Sequence, residues 1–233
     1  MSLIREYLQD FSHLAFPYNC FGCNKALEAK ELAVCEECSA RLPKTKYWLQ
    51  DENSVEKLFW GKIPIVRACS FLYFTKGGMV QSFMHNLKYN GKIAVGEILG
   101  DYFGEALKGT AFEEVDVVIP VPLHKSRLKK RGYNQCDSIA RTMANALGKQ
   151  YRTDAMIRTH ANASQTKKGR YERWLNVKSL FEVMDTKGIK GKHVLLVDDV
   201  ITTGSTLESC AAAILELPGT KVSIATIACP SPV

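Results

Sequence analysis

Val194-Leu-Leu-Val-Asp-Asp-Val-Ile-Thr-Thr-Gly-Ser-Thr206 is the stretch that decides the fold. Four successive aliphatic residues read as a strand buried on both faces, the pattern of a parallel sheet. The strand ends in two adjacent carboxylates, Asp198 and Asp199, and a small-residue turn then opens a helix. That turn, Thr202, Thr203, Gly204, Ser205 and Thr206, offers successive N–H groups and hydroxyls at a helix N-terminus, an anion site by geometry and dipole. The two acids before it suit vicinal hydroxyls, or a metal ion held through water, and the parts together suit a sugar phosphate. A Walker B strand also ends in acids, but none of the chain's Gly-Lys pairs has a glycine five positions before its Gly. No G-x-G-x-x-G occurs either, so nucleoside-triphosphate and dinucleotide readings lose their main support.

Outward from this stretch, strands and helices alternate. Ile65 to Phe74 reads as a strand or hairpin, and Met79 to Leu87 as a helix ended near Asn90-Gly91. Ile93 to Leu107 is a further helix, Val115 to Val121 a strand, Gln135 to Leu147 a helix and Ala155 to Arg158 a short strand. Val194 to Val197 is then followed by a helix over Thr206 to Leu217 and a strand over Val222 to Ala228. Such alternation predicts an α/β fold with a mostly parallel sheet flanked by helices, where ligands sit at the carboxyl ends of strands.

The N-terminal part has a different chemistry. Leu3, Ile4, Tyr7, Leu8, Phe11 and Leu14 recur at helical spacing and lead into Cys20-x2-Cys23 and Cys35-x2-Cys38. Two such knuckles present four thiolates tetrahedrally to a structural Zn2+. A disulfide pair is the rival. No window approaches the ~18 uninterrupted apolar residues of a membrane span, and Arg5, Glu6 and Asp10 break the first apolar run. Neither a signal peptide nor a transmembrane helix is expected, and a cytoplasmic, reducing location favours zinc. Cys69, Cys136, Cys210 and Cys229 lie among apolar neighbours and read as small core residues. The expected organisation is a helix and zinc module over 1–45, a linker over 46–64 and the main domain over 65–233.

The 233 residues carry 31 basic and 24 acidic side chains, a net charge of +7, and the excess is local. Lys125, Arg127, Lys129, Lys130 and Arg131 give +5 in seven positions, and residues 158–178 give another +5, so everything else is net −3. An acidic body with two cationic stretches suits a phosphate-rich partner, though a single such run is commonly a solvated loop.

Four hydrophobics, two acids and a Thr-Thr-Gly-Ser-Thr turn resemble the phosphoribosyl-pyrophosphate (PRPP) motif of type I phosphoribosyltransferases. Leu87-Lys88-Tyr89, Ile119-Pro-Val-Pro-Leu-His-Lys-Ser-Arg-Leu-Lys-Lys-Arg-Gly-Tyr-Asn-Gln135, the four cysteines and Gln165, Arg173, Asn176 and Phe181 are similar to the ComF family. That resemblance implies a type I phosphoribosyltransferase-like domain with a small zinc ribbon, associated with DNA uptake in natural transformation. It implies that Asp198 and Asp199 bind the ribose hydroxyls of PRPP with Mg2+, and that Thr202 to Thr206 wrap its 5′-phosphate. The turn after Val121-Pro122 would hold pyrophosphate, Lys88 would contact phosphate, and Arg170 and Arg173 would close on pyrophosphate from a loop. Purine-salvage members place a general-base carboxylate where this chain has Thr202, so that protonation route is closed.

Two function classes follow. In one the protein transfers a phosphoribosyl group to an acceptor that the sequence does not identify. In the other it is a PRPP-sensing or single-stranded nucleic-acid-binding module, with Lys125, Arg127, Lys129, Lys130 and Arg131 on the nucleic-acid backbone. Tyr133, Tyr171 and Trp174 beside the basic runs are candidates for base stacking or for half-buried packing. Further partners in view are other competence proteins and a second copy of the chain.

Overall fold

The computed structural model describes residues 19–27, 33–159 and 180–232. The amphipathic helix expected over the first fifteen residues lies outside them, as do Arg170, Arg173, Tyr171 and Trp174 of the second basic segment. Five strands, β1 (Ala68–Phe74), β2 (Val117–Pro120), β3 (Gln150–Tyr151), β6 (His193–Val200) and β7 (Lys221–Pro230), form one parallel sheet in the order β1-β7-β6-β2-β3. The central strands are buried along nearly their whole length, as two-sided burial requires. The described α-helices are α1 (Glu36–Ala40), α2 (Ser54–Lys57), α3 (Met79–Tyr89), α4 (Ile93–Leu107), α5 (Lys125–Arg131), α6 (Gln135–Leu147), α7 (Thr186–Ile189) and α8 (Ser205–Leu215).

The topology places a crevice. From β2 the chain runs through α5 and α6 to β3 on one side, and from β6 it runs through α8 to β7 on the other. Connections therefore diverge between β2 and β6, and such a switch point opens a cleft at the carboxyl ends of the two strands. Val121, Pro122, Asp198 and Asp199 stand there.

Three departures from the sequence reading have clear causes. The Ala155 to Arg158 strand forms as β4 (Met156–Arg158), but it pairs antiparallel with β5 (Phe181–Val183) outside the main sheet. Met184 N–H to Ala155 O at 2.8 Å and Thr159 N–H to Leu180 O at 3.0 Å extend that pairing, so its backbone groups are met without the sheet. The first basic run is a helix, α5, with His124 Nδ1 accepting from Ser126 N–H at its start and left-handed Gly132 at its end.

The third departure is the 46–64 segment, read as a linker, which sits in the core. Tyr47, Trp48, Val55 and Phe59 are buried in the same cluster as the sheet residues. Trp48 packs 5.7 Å from Phe71 and 5.8 Å from Phe103, whose rings stack at 4.9 Å. Just before it, Thr45 N–H bonds Phe71 O at 2.9 Å and Tyr73 N–H bonds Pro43 O at 2.8 Å, covering the edge of β1.

Helices α4 and α6 pack unusually closely. Gly96, Gly100 and Gly104 lie four apart on one face of α4, and a Cβ on Gly100 would lie 2.5 Å from Ile139 O and 2.9 Å from Ile139 Cα. This contact holds α6, and hence its N-terminal turn, against the body of the domain.

Candidate functional site

At the end of β6, Asp198 and Asp199 both reach the start of α6, where each brings a carboxylate oxygen within 4.8 Å of the other's and of the Cys136 sulfur. Asp198 Oδ1 accepts from its neighbour's N–H at 2.8 Å and from the Cys136 thiol at 3.3 Å. Asp199, 4% exposed, receives Gln135 Nε2 at 2.8 Å and Lys88 Nζ at 2.9 Å, both on Oδ2. Burial, reinforced by the adjacent Asp199 charge, pushes the Asp198 carboxyl up to about 7. Burial, followed by the two carboxylates, drives the Cys136 thiol well above its ordinary value, so it acts as a donor and not as a thiolate.

The donors come from the start of α6. Asn134 caps that helix, accepting Cys136 N–H at 3.2 Å, and its amide donates to Val121 O at 3.0 Å. One side chain thus fixes both the loop after β2 and the turn that brings Gln135 and Cys136 to the acids. Gly132 turns the chain sharply after α5, and Tyr133 O–H then donates to Leu87 O at the end of α3, next to Lys88. Tyr133 is therefore partly buried packing and not a stacking platform.

Behind the acids, Gly204 takes a left-handed φ of 77° and precedes Ser205 at the start of α8. It has no side chain to cap the helix, so the first-turn N–H groups lack an intrahelical acceptor. Thr202, Thr203 and Ser205 are exposed, with Thr203 Oγ1 3.2 Å from Ser205 Oγ. Phe59 supports the turn from beneath: a Cβ on Gly204 would lie 3.2 Å from its ring.

These pieces enclose a cleft of about 200 Å³. Its wall carries Lys88, Arg127, Arg131 and Arg158 against Asp198 and Asp199, and Val121, Pro122, Gln135 and Thr206 also line it. Burial, followed by the Arg127 charge, lowers the Arg158 guanidinium. The basic run is thus divided. Arg127 and Arg131, one helical turn apart, reach the cleft, whereas Lys125, Lys129 and Lys130 are exposed outside it.

The four cysteines form a second centre. Cys20, Cys23, Cys35 and Cys38 place their sulfurs within 4.8 Å of one another. Cys23 and Cys35 are 3.7 Å apart, and tetrahedral bonds of ~2.3 Å to zinc put sulfurs ~3.8 Å apart. Cys20 Sγ accepts from Gly22 N–H at 3.4 Å and Cys35 N–H at 3.3 Å, while Cys35 Sγ accepts from Cys38 N–H at 3.5 Å. Burial raises the Cys20 thiol, but N–H donation from Cys35, Cys23 and Gly22 outweighs it and brings its pKa to about 7. The donor set fits a zinc ion. The knuckle rests on α3, where Ser82 Oγ donates to Phe21 O at 2.7 Å.

Comparison with known proteins agrees with this geometry. Residues 134–230 match the phosphoribosyl transferase domain, a span that includes the acid pair, the turn and α6. The chain is 25% identical to competence protein F of Haemophilus influenzae over 91% of its own length and 90% of that protein's. It is 25% identical to competence protein ComFC of Bacillus subtilis, over 84% of this chain and 78% of that one. The chain is thus similar to ComF-type competence proteins over most of its length, and its C-terminal part to a phosphoribosyl transferase domain. It is also 30% identical to DNA utilization protein YhgH of Shigella flexneri over 145 residues, which are 60% of this chain and 63% of that relative. Among the described residues no helix is long and apolar enough to cross a membrane.

Within this cleft, sequence reading passed over Asn134, Gln135, Cys136 and Arg158 as site residues. Gln135 closes the family-like run from Ile119, and that run was the available signal. Cys136 is buried as expected of a core thiol, yet it also bonds Asp198.

Proposed function

We propose that the cleft between β2 and β6 binds PRPP with Mg2+ and that the protein serves DNA uptake, as the names of its ComF-type and DNA-utilization relatives suggest. Asp198 and Asp199 take the ribose hydroxyls, Thr202 to Thr206 the 5′-phosphate, and Val121, Pro122, Lys88, Arg127 and Arg131 the pyrophosphate. One observation carries this reading: two carboxylates at a strand end share a single cleft with four cations and an uncapped helix start. Phosphoribosyl transfer there would break the bond from ribose C1 to the pyrophosphate oxygen and join C1 to an acceptor atom, whose proton is released. Cations on the wall stabilise the departing pyrophosphate. Zinc in the four-cysteine centre is structural.

Calorimetry tests the site. Asp199→Asn should weaken PRPP binding by ~1.5–3 kcal/mol, the scale of a hydrogen bond to a charged group. Undiminished binding by the Asp198→Asn/Asp199→Asn protein would overturn the assignment.

A second reading has its own support. Helical spacing sets Lys125 and Lys129 on the face of α5 opposite Arg127 and Arg131, so the outward face remains available to single-stranded nucleic acid. Binding there must weaken with salt, by ~0.7 in log K per phosphate contact for each tenfold rise. Exchanging Lys125 and Lys129 for Gln should flatten that slope, and a chain that ignores oligonucleotides at low salt removes this reading.

A further inference from the structure

Gln135 stands between two opposite charges. It is 5% exposed, in the first turn of α6. Its Nε2 donates to Asp199 Oδ2 at 2.8 Å, and its Oε1 accepts from the Arg131 guanidinium. The charges at its two ends fix the amide's orientation. Turned over, it would face its NH2 toward the guanidinium and its carbonyl toward the carboxylate, losing both bonds. A neutral group with an acceptor at one edge and a donor at the other joins this cation to this anion without adding charge. Glu would repel Asp199, and Lys would repel Arg131.

The placement of Arg131 depends on this bond. It belongs to α5, which has no buried residue, so core packing does not hold it. Its guanidinium also lies over the exposed Tyr89 ring, 5.8 Å from the ring centre. At the other end, Gln135 shares Asp199 Oδ2 with Lys88. The bridge thus runs from the cation assigned to pyrophosphate to the carboxylate assigned to the ribose hydroxyls.

We infer that Gln135 is a positioning residue that couples the two halves of the PRPP site. Pyrophosphate bound by Arg131 fixes the guanidinium against Oε1, which keeps Nε2 on Asp199 and holds that carboxylate in the orientation that receives the ribose hydroxyls. The inference rests on the PRPP reading above. Linkage makes the effect reciprocal: ribose binding favours pyrophosphate by the same factor.

The test is calorimetry on the full chain in magnesium buffer, with inorganic pyrophosphate and ribose 5-phosphate each titrated alone and against saturating amounts of the other. The coupling factor is the ratio of pyrophosphate affinities with and without ribose 5-phosphate. Because two anions in one cleft repel, this factor is compared between proteins and not with unity. The wild-type factor should exceed those of Gln135→Leu and of Arg131→Met by roughly fivefold or more, the lower end of usual coupling. The ribose 5-phosphate titrations should return the same ratio. Arg131 lies on a helix without buried residues, so a folding defect in the Leu variant would not extend to the Met variant. A purely structural role for Gln135 would lower both affinities and leave the coupling factor unchanged. A wild-type factor retained in either variant overturns the proposal with the PRPP site intact. If neither probe binds the wild type, the PRPP reading itself fails and the role of Gln135 falls with it.

Discussion

The knuckle and the cleft are built in opposite ways. Cys20, Cys23, Cys35 and Cys38 lie within nineteen positions, and their sulfurs are arranged by local turns whose own N–H groups point at them. The cleft gathers Lys88 from α3, Arg131 from α5, Gln135 and Cys136 from α6, and Asp198 and Asp199 from β6. A centre whose geometry is local depends on a bound ion for stability, because it has little core of its own. A centre assembled across the sheet depends on packing elsewhere in the molecule. The two should therefore fail differently.

The largest effect is expected in the knuckle. Structural zinc contributes ~10–16 kcal/mol at neutral pH in small modules. Cys35→Ser should release the ion and remove amide-exchange protection across residues 19–27 and 33–38, while the sheet keeps a cooperative unfolding transition. Metal analysis with hydrogen exchange reads both. Protein purified without chelators that contains no zinc, or a bond between these sulfurs, would break the comparison at its first term.

A smaller effect is expected at Gly204, which tests whether the cleft depends on distant packing. Its φ of 77° costs an L-residue roughly 1–2 kcal/mol. A Cβ would also meet the Phe59 ring at 3.2 Å. Gly204→Ala should lower the denaturation midpoint by that order, weaken PRPP binding and leave zinc content unchanged. Loss of zinc in this variant would mean that the two centres are less independent than their construction implies.

What was legible in the sequence follows the same division. The four-residue aliphatic run of β6, the helices over 79–87, 93–107 and 135–147, and the paired knuckles all rest on local periodicity or spacing, and the structure contains each. The two-residue β3 is too short to carry a period. The polar look of 46–64 concealed Tyr47, Trp48, Val55 and Phe59, because their partners Phe71, Phe103 and Gly204 are distant in sequence. The acid pair and its turn were visible, since consecutive residues form them. The donors that hold the acids were not, because Gln135 lies 64 positions from Asp199 and reads as an ordinary first-turn helix residue. The +5 run of α5 gave its charge but not its division, which depends on which helical face meets the cleft.

The smallest expected effect is the pH response of the cleft. Asp198 is held near 7 by burial and then by Asp199, while the Cys136 donor and the Lys88 charge pull it the other way. A raised carboxyl has two consequences of opposite sign. The unfolded chain titrates this group near ~3.9, so its stabilising contribution is complete below that value and is lost as pH rises through about 7. The ribose hydroxyls, in contrast, need the ionised acceptor, so PRPP affinity should rise with pH up to about 7 and level off above it. One proton limits the slope to about tenfold per pH unit, or ~1.4 kcal/mol. Phosphate groups of PRPP titrate near ~6 and contribute a slope of their own, so the informative quantity is the difference between two profiles. Asp198→Asn should bind more weakly at pH 8 but keep only the ligand's part of the slope between pH 6 and 8. Its denaturation midpoint should lose the decline between about pH 4 and pH 7 expected of the wild type. If both proteins give parallel affinity profiles, the carboxyl that titrates near neutrality is not the one that receives the ribose, and Asp199 alone would carry that contact.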